Sequence, residues 1–264
     1  MTEIPAALVK ELRERSGAGM MDCKRALQEA AGDPEAAFKL LREWGAAQAG
    51  KRAGRETTEG VVLARIQDST GTLVAVGSET EPVSKNEEFR AFAERVLELV
   101  EQEGPDAVAS LEDERTDLIG KIGENIVVRG ATRFESSNGE SLAAYVHPPA
   151  NKIGVLVKAE GPADAARRLA MHIAFAGPRY ATREEVPEEE VAAERSVYEK
   201  LSDVESKPEQ ARPKIVEGML AKRFFGETVL AEQAWIHEPK KTVAQALEDE
   251  GLRLVEFERY ALAE

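Results

Sequence analysis

Residues 12–27 have the sequence LRERSGAGMMDCKRAL, in which a glycine-containing break separates two helical segments. The break spans Ser16–Gly19 and stops the first helix, because paired glycines remove the preference for helical backbone. Upstream of it, Leu8 and Leu12 lie one helical turn apart on the same face. Downstream, we predict a second helix from Met20 to Ala31, with an apolar stripe formed by Cys23, Ala26, Leu27 and Ala30.

A third helix is predicted after Gly32-Asp33-Pro34, because Asp33 can cap a helix and Pro34 suits its first turn. Phe38, Leu41 and Trp44 form the buried face of this helix. Residues 1–50 are therefore predicted to be a three-helix N-terminal domain whose core is only just large enough to stand alone. Such a module is typical of protein binding rather than catalysis. The polar residues 51–59 are predicted to be a linker.

Residues 60–139 are predicted to form a first α+β core subdomain. Val61–Ile66 and Leu73–Val76 form a β-hairpin around the turn Asp68–Gly71. A helix begins near Ser84–Glu87, which fits a capping box. A further helix leads to Asn125–Arg129, which is predicted to be the closing strand.

Residues 140–237 are predicted to be a second core subdomain with the same plan. Leu142–Val146 and Ile153–Ala159 form its hairpin, a helix covers about Pro162–Ala176, and Thr228–Ile236 is predicted to be its closing strand. Two such repeats imply two antiparallel sheets, each backed by helices. The predicted fold class is therefore α+β.

Two further segments follow from composition. Residues 184–213 are rich in Glu, Lys, Arg and Ala and are predicted to form a helical hairpin that turns near Ser206–Pro208 and projects from the core. Residues 238–264 are predicted to be a C-terminal helical module with an amphipathic helix over Lys240–Glu250 and a short tail. The apolar side of that helix could pack on the core or on a partner.

Composition and charge restrict the function classes. Hydrophobic residues make up 42% of the chain and charged residues 32%, which is ordinary for a globular protein. The 35 Lys+Arg against 49 Asp+Glu give a net charge of −14, which disfavours direct nucleic-acid binding. The short basic cluster Lys51–Arg55 is expected to be solvated linker. With one cysteine, no signal segment and no apolar run of about 18 residues, we expect a cytoplasmic protein without membrane attachment.

No catalytic or metal-binding motif is recognisable. Gly17-Ala18-Gly19 lacks the lysine and the preceding strand of a phosphate-binding loop and is better interpreted as a turn between helices. The histidines His147, His172 and His237 lack metal-ligand spacing, and Cys23 is expected to be a buried apolar residue. We therefore expect a protein that is not an enzyme and carries no cofactor or metal.

The segment Leu12–Leu27 closely resembles the N-terminal signature of the elongation factor Ts family. Gly77–Val83 occupies the place of the family's second signature. Four later segments look like family segments in the right order: Lys121–Ile126, Lys152–Val157, Ala170–Ala174 and Lys241–Leu247. The resemblance covers essentially the whole chain.

The resemblance implies a UBA-like three-helix head, two repeated core subdomains with antiparallel sheets, an inserted helical hairpin and a C-terminal helical module. It also implies an exchange factor that binds GDP-bound and nucleotide-free elongation factor Tu. Such a factor acts on the GDP and Mg²⁺ bound by its partner and has no cofactor of its own. Two core copies favour one Ts bound to one Tu, although a two-to-two complex remains open.

In this family, a loop after the core hairpin helps to dislocate Mg²⁺ from the partner with an aromatic ring. Here the matching residues are Thr80, Glu81, Pro82 and Val83, so proline stands at the aromatic position. We expect Pro82 to stiffen the loop, to favour an extended Glu81, and to present Glu81 and Val83. The alternative is a loop that merely links strand to helix.

The resemblance assigns six further residues to partner binding: Met21, Asp22, Lys24, Ile122, Gly123 and His147. From periodicity alone Lys24 is a solvated helix residue, and His147 is equally compatible with a plain turn. Two rival functions are less compatible with the sequence. A ubiquitin-associated-type adaptor would explain the head but not the repeated core, and an RNA- or ribosome-binding protein conflicts with the net charge.

Overall fold

The computed structural model describes residues 4–263 and consists of two compact units. The first contains the described residues of Met1–Phe134, Val146–Gly154 and Tyr260–Glu264. The second contains Glu135–Tyr145 and Val155–Arg259. Helices are combined with two three-stranded sheets, so the fold class is α+β. Among these residues, no helix is both long and apolar enough to cross a membrane.

Three helices open the first unit: α1 (Ala6–Ser16), α2 (Met20–Glu29) and α3 (Pro34–Arg52). Gly17 ends α1 in the left-handed region, at φ 69°. The Asp33 carboxylate caps α3 by accepting from two backbone amides, with Pro34 in the first turn. The core of this head consists of Val9, Leu12, Cys23, Ala26, Leu27 and Ala37. The three predicted helices are confirmed.

Helix α3 is longer than predicted and packs directly on the core. It continues to Arg52, into the segment predicted to be a linker. Gly45 of α3 faces Gly120 of a core helix so closely that a Cβ on Gly120 would lie 3.2 Å from the Gly45 Cα. The glycine at position 120 permits this approach, whereas a Cβ on Gly45 would lie 3.7 Å from the Gly120 Cα, which is an ordinary contact distance.

The first sheet has the order β1 (Glu59–Gln67), β2 (Thr70–Ser78) and β3 (Ile126–Glu135). β1 and β2 pair antiparallel in a register that sets Gly60 opposite Gly77. The connection contains α4 (Glu81–Ser84), α5 (Glu87–Glu103), a 3₁₀ segment (Pro105–Leu111) and α6 (Glu112–Ile122). The apolar face of α5 is buried on this sheet, with Phe89 wholly inaccessible. The N-cap of α5 is Asn86, so the predicted capping box at Ser84 is wrong.

The second sheet repeats this order with β4 (Glu140–Val146), β5 (Ile153–Glu160) and β6 (Arg253–Ala261). The prediction that Thr228–Ile236 closes the sheet is wrong. The closing strand is β6, within the segment predicted to be a short tail, and the Arg253 guanidinium pairs with the Glu160 carboxylate of β5. The amphipathic helix predicted over Lys240–Glu250 is confirmed as α12 (Val243–Asp249), but the module of residues 238–264 is not purely helical, because its tail is strand β6.

Between α7 (Ala163–Ala176) and α12 lies the insertion. It contains α8 (Glu188–Glu199), α9 (Ser202–Glu205), α10 (Arg212–Met219), a π-helical turn (Leu220–Phe225) and α11 (Gly226–Thr228). Short 3₁₀ segments occur at Arg183–Glu185, Glu209–Ala211 and Leu230–Glu232. The insertion has its own apolar core, in which Tyr198, Val204 and Val216 are buried. Burial raises the pKa of Tyr198 to about 12.

Side-chain hydrogen bonds hold the segment that was predicted to be a strand. His172 of α7 is wholly buried, and its Nε2 donates to the Gln233 Oε1 over 2.9 Å. Its Nδ1 accepts from the Ile236 backbone amide over 3.3 Å. The Gln233 amide group donates to the carbonyls of Ala176 and Glu227. Within residues 228–236 the His172 ring binds the Ile236 amide. The backbone groups of Thr228, Leu230 and Ala231 pair with residues 179–181 without forming a strand ladder.

Unfolding should become easier as the pH falls below 6.5, because burial lowers the pKa of His172 from that ordinary value. In this range the unfolded chain binds a proton at His172 that the folded chain does not. The free energy of unfolding therefore falls by up to about 1.4 kcal/mol per pH unit, until the folded-state pKa is reached. Above pH 6.5 the slope fades and is nearly lost about one pH unit higher, where the unfolded chain no longer binds the proton.

Urea denaturation at pH 7.5, 6.5 and 5.5 measures how the free energy of unfolding changes with pH. The highest and lowest of these pH values lie about one unit on either side of the ordinary histidine pKa. His172→Gln removes the titrating group and should flatten the slope. The exposed His147→Gln should keep the slope of the natural protein. Equal slopes for the two variants would show that His172 is not the responsible group.

Candidate functional site

The segment Thr80–Val83, here called the exchange turn, follows β2 and contains the start of a single helical turn. Thr80 is extended, at φ −130° and ψ 152°, and α4 begins at Glu81. The Ser84 hydroxyl donates to the Glu81 carbonyl over 2.7 Å and helps to close the turn. Pro82 is tolerated because a first-turn amide has no helical partner. The expectation of an extended Glu81 is therefore wrong.

The turn exposes three of its four residues. Thr80, Glu81 and Pro82 are exposed, whereas Val83 is half-buried against the core of the first sheet. The Val83 side chain thus anchors the turn on the core, and its presentation to a partner stays a prediction. Glu81 and Pro82 form the projecting part.

Glu81 forms a salt bridge with Lys85. The Lys85 ammonium lies 2.7 Å from the Glu81 carboxylate, one helical turn away. This hydrogen bond and the charge of Lys85 lower the pKa of Glu81, with a smaller contribution from the charge of Lys152. The turn therefore carries a carboxylate rather than a carboxylic acid at neutral pH.

The exchange turn is joined to the end of α6 by Glu124. Its carboxylate accepts from the Thr80 backbone amide over 3.0 Å and from the Thr80 hydroxyl over 2.6 Å. Gly123 ends α6 in the left-handed region, at φ 84°, and Ile122 is half-buried on the core. The structure therefore brings the predicted contact residues Ile122 and Gly123 next to the exchange turn.

Glu79 makes a second bridge to the same connection. Its carboxylate accepts from the Asn125 amide over 2.6 Å and pairs with Arg55 over 3.2 Å. The Asn125 side chain is 1% exposed and donates to the Arg55 carbonyl over 2.9 Å. Glu79 and Asn125, the neighbours of Thr80 and Glu124 in the sequence, therefore bind each other, and the buried Asn125 side chain anchors this contact.

The predicted head residues lie at the start of α2. Met21 is 73% exposed, Lys24 is exposed, and Asp22 pairs with Arg25 over 2.9 Å. The neighbouring α1–α2 turn touches α6, since a Cβ on Gly17 would lie 3.1 Å from the Lys121 side chain. The start of α2 is thus connected to the end of α6, one residue before Ile122.

His147 lies in the exposed turn after β4. Its backbone amide donates to the Ile153 carbonyl over 2.9 Å. With Lys152, it lines a shallow pocket of about 240 Å³. Lys152 pairs with Glu59 over 2.6 Å and is close enough to lower the pKa of Glu81. Lys152 therefore shares a pocket with the predicted contact residue His147 and acts electrostatically on Glu81.

Comparison with known proteins defines the family. A family model described as elongation factor Ts matches residues 79–264 of the chain. The elongation factor Ts of Acidothermus cellulolyticus is 44% identical to it over 281 aligned positions, covering 100% of both chains. The chain belongs to the elongation factor Ts family. It is therefore a translation elongation factor with a role in protein biosynthesis.

Other members of the elongation factor Ts family are similarly close. That of Shewanella amazonensis is 44% identical, covering 99% of this chain and 91% of its own length. That of Vibrio vulnificus is 42% identical, with coverages of 99% and 92%. These alignments include the head, which lies outside the range that the family model matches.

The structure adds Glu79, Glu124, Lys85 and Lys152 to the residues that the family resemblance assigned. Only Lys85 had a local signal, its spacing of four residues from Glu81. Glu124 lies within the segment Lys121–Ile126 that resembles the elongation factor Ts family. Nothing in the sequence shows that it reaches a threonine 44 residues away. Across residues 4–263, no group of three or more His, Cys, Asp or Glu could hold a metal ion.

Proposed function

We propose that this chain is the guanine-nucleotide exchange factor of elongation factor Tu. It binds Tu–GDP, promotes dislocation of Mg²⁺ and release of GDP, and leaves the nucleotide site free for GTP. It makes and breaks no covalent bond, so it is not an enzyme, and it acts in the cytoplasm without a cofactor. The observation that carries the proposal is a projecting, ionised carboxylate on an anchored turn, at the position of the family's exchange loop.

A GTPase holds GDP through its phosphate-binding loop and Mg²⁺. An ionised Glu81 offers the oxygen ligand that Mg²⁺ prefers and repels the diphosphate. GDP and the exchange factor are both ligands of Tu, and their effects on each other are reciprocal. If the exchange factor lowers the affinity of Tu for GDP by some factor, GDP lowers the affinity of Tu for the exchange factor by the same factor. Each tenfold loss of GDP affinity requires about 1.4 kcal/mol from contacts between the exchange factor and Tu that form only when the nucleotide is loosely held.

Binding of the partner involves a wider surface. We propose that Met21, Asp22 and Lys24 of the head, with Ile122, Gly123 and His147, contact Tu. The exposure of Met21 supports this, because an exposed methionine at a helix end is an adaptable apolar contact. The links from the head through α6 to the exchange turn lie within one compact unit.

Stopped-flow release of a fluorescent GDP from the cognate Tu tests the proposal. The natural protein should accelerate release by orders of magnitude. Glu81→Ala should lower the maximal rate about tenfold, because it removes a contact made during release. Pro82→Phe should raise the maximal rate, because a ring adds apolar volume to the projecting turn.

Glu103→Ala is the matched control, since Glu103 is an exposed glutamate at the end of α5. It should leave the release rate unchanged. If neither turn variant differs from this control, the exchange turn has no working role. If the natural protein itself produces no acceleration, the proposed exchange activity is excluded and the adaptor interpretation takes precedence.

A further inference from the structure

Thr80 is the N-cap of α4, yet its side chain does not act as a cap. An N-cap threonine ordinarily accepts a hydrogen bond from an amide in the first helical turn. Here the Thr80 side chain makes no such bond and its hydroxyl instead donates to the Glu124 carboxylate over 2.6 Å. The Thr80 amide donates to the other oxygen of the same carboxylate over 3.0 Å. The Glu124 carboxylate therefore binds both hydrogen-bond donors of Thr80.

The two ends of the exchange turn are held by different means. Its C-terminal end is fixed by Val83, which packs in the core, and by the Asn86 cap of α5. At its N-terminal end, Glu124 holds both donors of Thr80, and the Thr80 carbonyl accepts from the Ser78 hydroxyl over 3.2 Å. Loss of the Glu124 carboxylate would release both donors of Thr80, the residue immediately before Glu81.

Glu124 is well placed to act as a fixed support. It follows the left-handed Gly123 and precedes Asn125, whose amide is bound by Glu79 and whose side chain is buried. Hydrogen bonds that an ionised carboxylate accepts are shorter and stronger than those between two neutral groups. A bidentate contact also restrains direction as well as distance.

The geometry points to Glu124 as the positioning residue of the exchange turn, which fixes the direction in which Glu81 and Pro82 project. This inference rests on the proposed exchange function. A positioning role affects the step in which the turn acts rather than the binding of the whole surface, since the contacts assigned to the head are untouched. Loss of Glu124 should therefore lower the maximal rate of GDP release more than it weakens Tu binding.

The chain offers a graded set of variants. Glu124→Ala removes both bonds, whereas Glu124→Gln can accept only one of them, because its amide nitrogen is a donor. Thr80→Val removes the hydroxyl donor and keeps the amide, and Thr80→Ser keeps both donors. Glu114→Ala, at an exposed glutamate of α6, is the matched control.

The experiment is a titration of cognate Tu–GDP with each full-length variant, giving the maximal rate of GDP release and the half-saturating concentration. Glu124→Ala should lower the maximal rate about tenfold and change half-saturation less than about threefold. The maximal rates of Glu124→Gln and Thr80→Val should lie between those of Glu124→Ala and the natural protein. The maximal rate of Thr80→Ser should equal that of the natural protein. The double variant Thr80→Val with Glu124→Ala should be no slower than Glu124→Ala alone, because both act through one contact.

A readout without the partner separates this inference from the proposed function. Hydrogen exchange of the Thr80 amide should speed up in Glu124→Ala, while the amides of α5 keep their protection. If the natural protein accelerates release but Glu124→Ala leaves the maximal rate unchanged, or adds independently to Thr80→Val, the positioning role is overturned and the exchange function stands. If the natural protein does not accelerate release, the exchange function fails and the positioning role fails with it.

Discussion

Replacement of Gly60 by alanine is expected to destabilise the first unit by about 3 kcal/mol or more. Gly60 has φ 134°, a conformation that side-chain-bearing residues rarely adopt. A Cβ there would also lie 2.1 Å from the Val76 carbonyl oxygen and 2.8 Å from the Gly77 Cα. Both obstacles are backbone atoms of the paired strand, so relief requires the β1–β2 register to shift.

Gly104→Ala separates the two causes of this loss. Gly104 also has a positive φ, 93°, but nothing lies within 4 Å of the position that an alanine Cβ would take there. With ψ 172° this residue lies in a region that is almost exclusive to glycine, so this variant should show the conformational cost alone, about 1 to 3 kcal/mol. Urea denaturation, monitored by amide hydrogen exchange, gives the free energy of unfolding of each unit. Equal losses for the two variants would contradict the proposed clash with Val76.

Gln233→Leu is expected to cost the second unit about 3 kcal/mol or more, because it leaves several buried polar groups without partners. Gln233 is 4% exposed and bonds to His172 and to the carbonyls of Ala176 and Glu227. Leucine has a similar volume, so the loss reflects polar groups rather than a cavity. The amides of residues 228–236 should exchange faster than those of α7.

The control is Gln210→Leu, at an exposed position of the same unit. It should change the free energy of unfolding by no more than about 0.5 kcal/mol. A near-neutral Gln233→Leu would mean that the hydrogen bonds of Gln233 do not hold residues 228–236 in place. Thermal and urea denaturation, each monitored by the fluorescence of Trp235 within this segment, provide the measurement.

Residues 228–236 show why one strand prediction failed. They contain Val229, Leu230 and Trp235, which favour a strand locally, but strand preference depends strongly on context. The backbone of this segment finds other partners, in residues 179–181 and in the His172 ring, which accepts from the Ile236 amide. The missed strand β6 carried a usable signal, because Val255, Phe257 and Tyr260 are typical strand residues.

The exchange turn was located by family resemblance and only partly described by it. Resemblance placed Thr80–Val83 correctly after the hairpin, and the proline rule predicted an extended Glu81. The structure instead has a helical turn, because the Ser84 hydroxyl bond and the Lys85 salt bridge stabilise the compact form. The burial of Val83 depends on the distant core and had no local signal.

The sequence by itself determined the three head helices, both hairpins and the helices that follow them. These depend on local chemistry: glycines that break helices, Asp33 and Pro34 that start one, and apolar residues at helical or strand spacing. Only the tertiary structure decided the Gly45–Gly120 packing, the place of β6 in the second sheet and the contact of Glu124 with Thr80. Each of these joins residues far apart in the chain, and local preferences carry no information about which distant partner a residue meets.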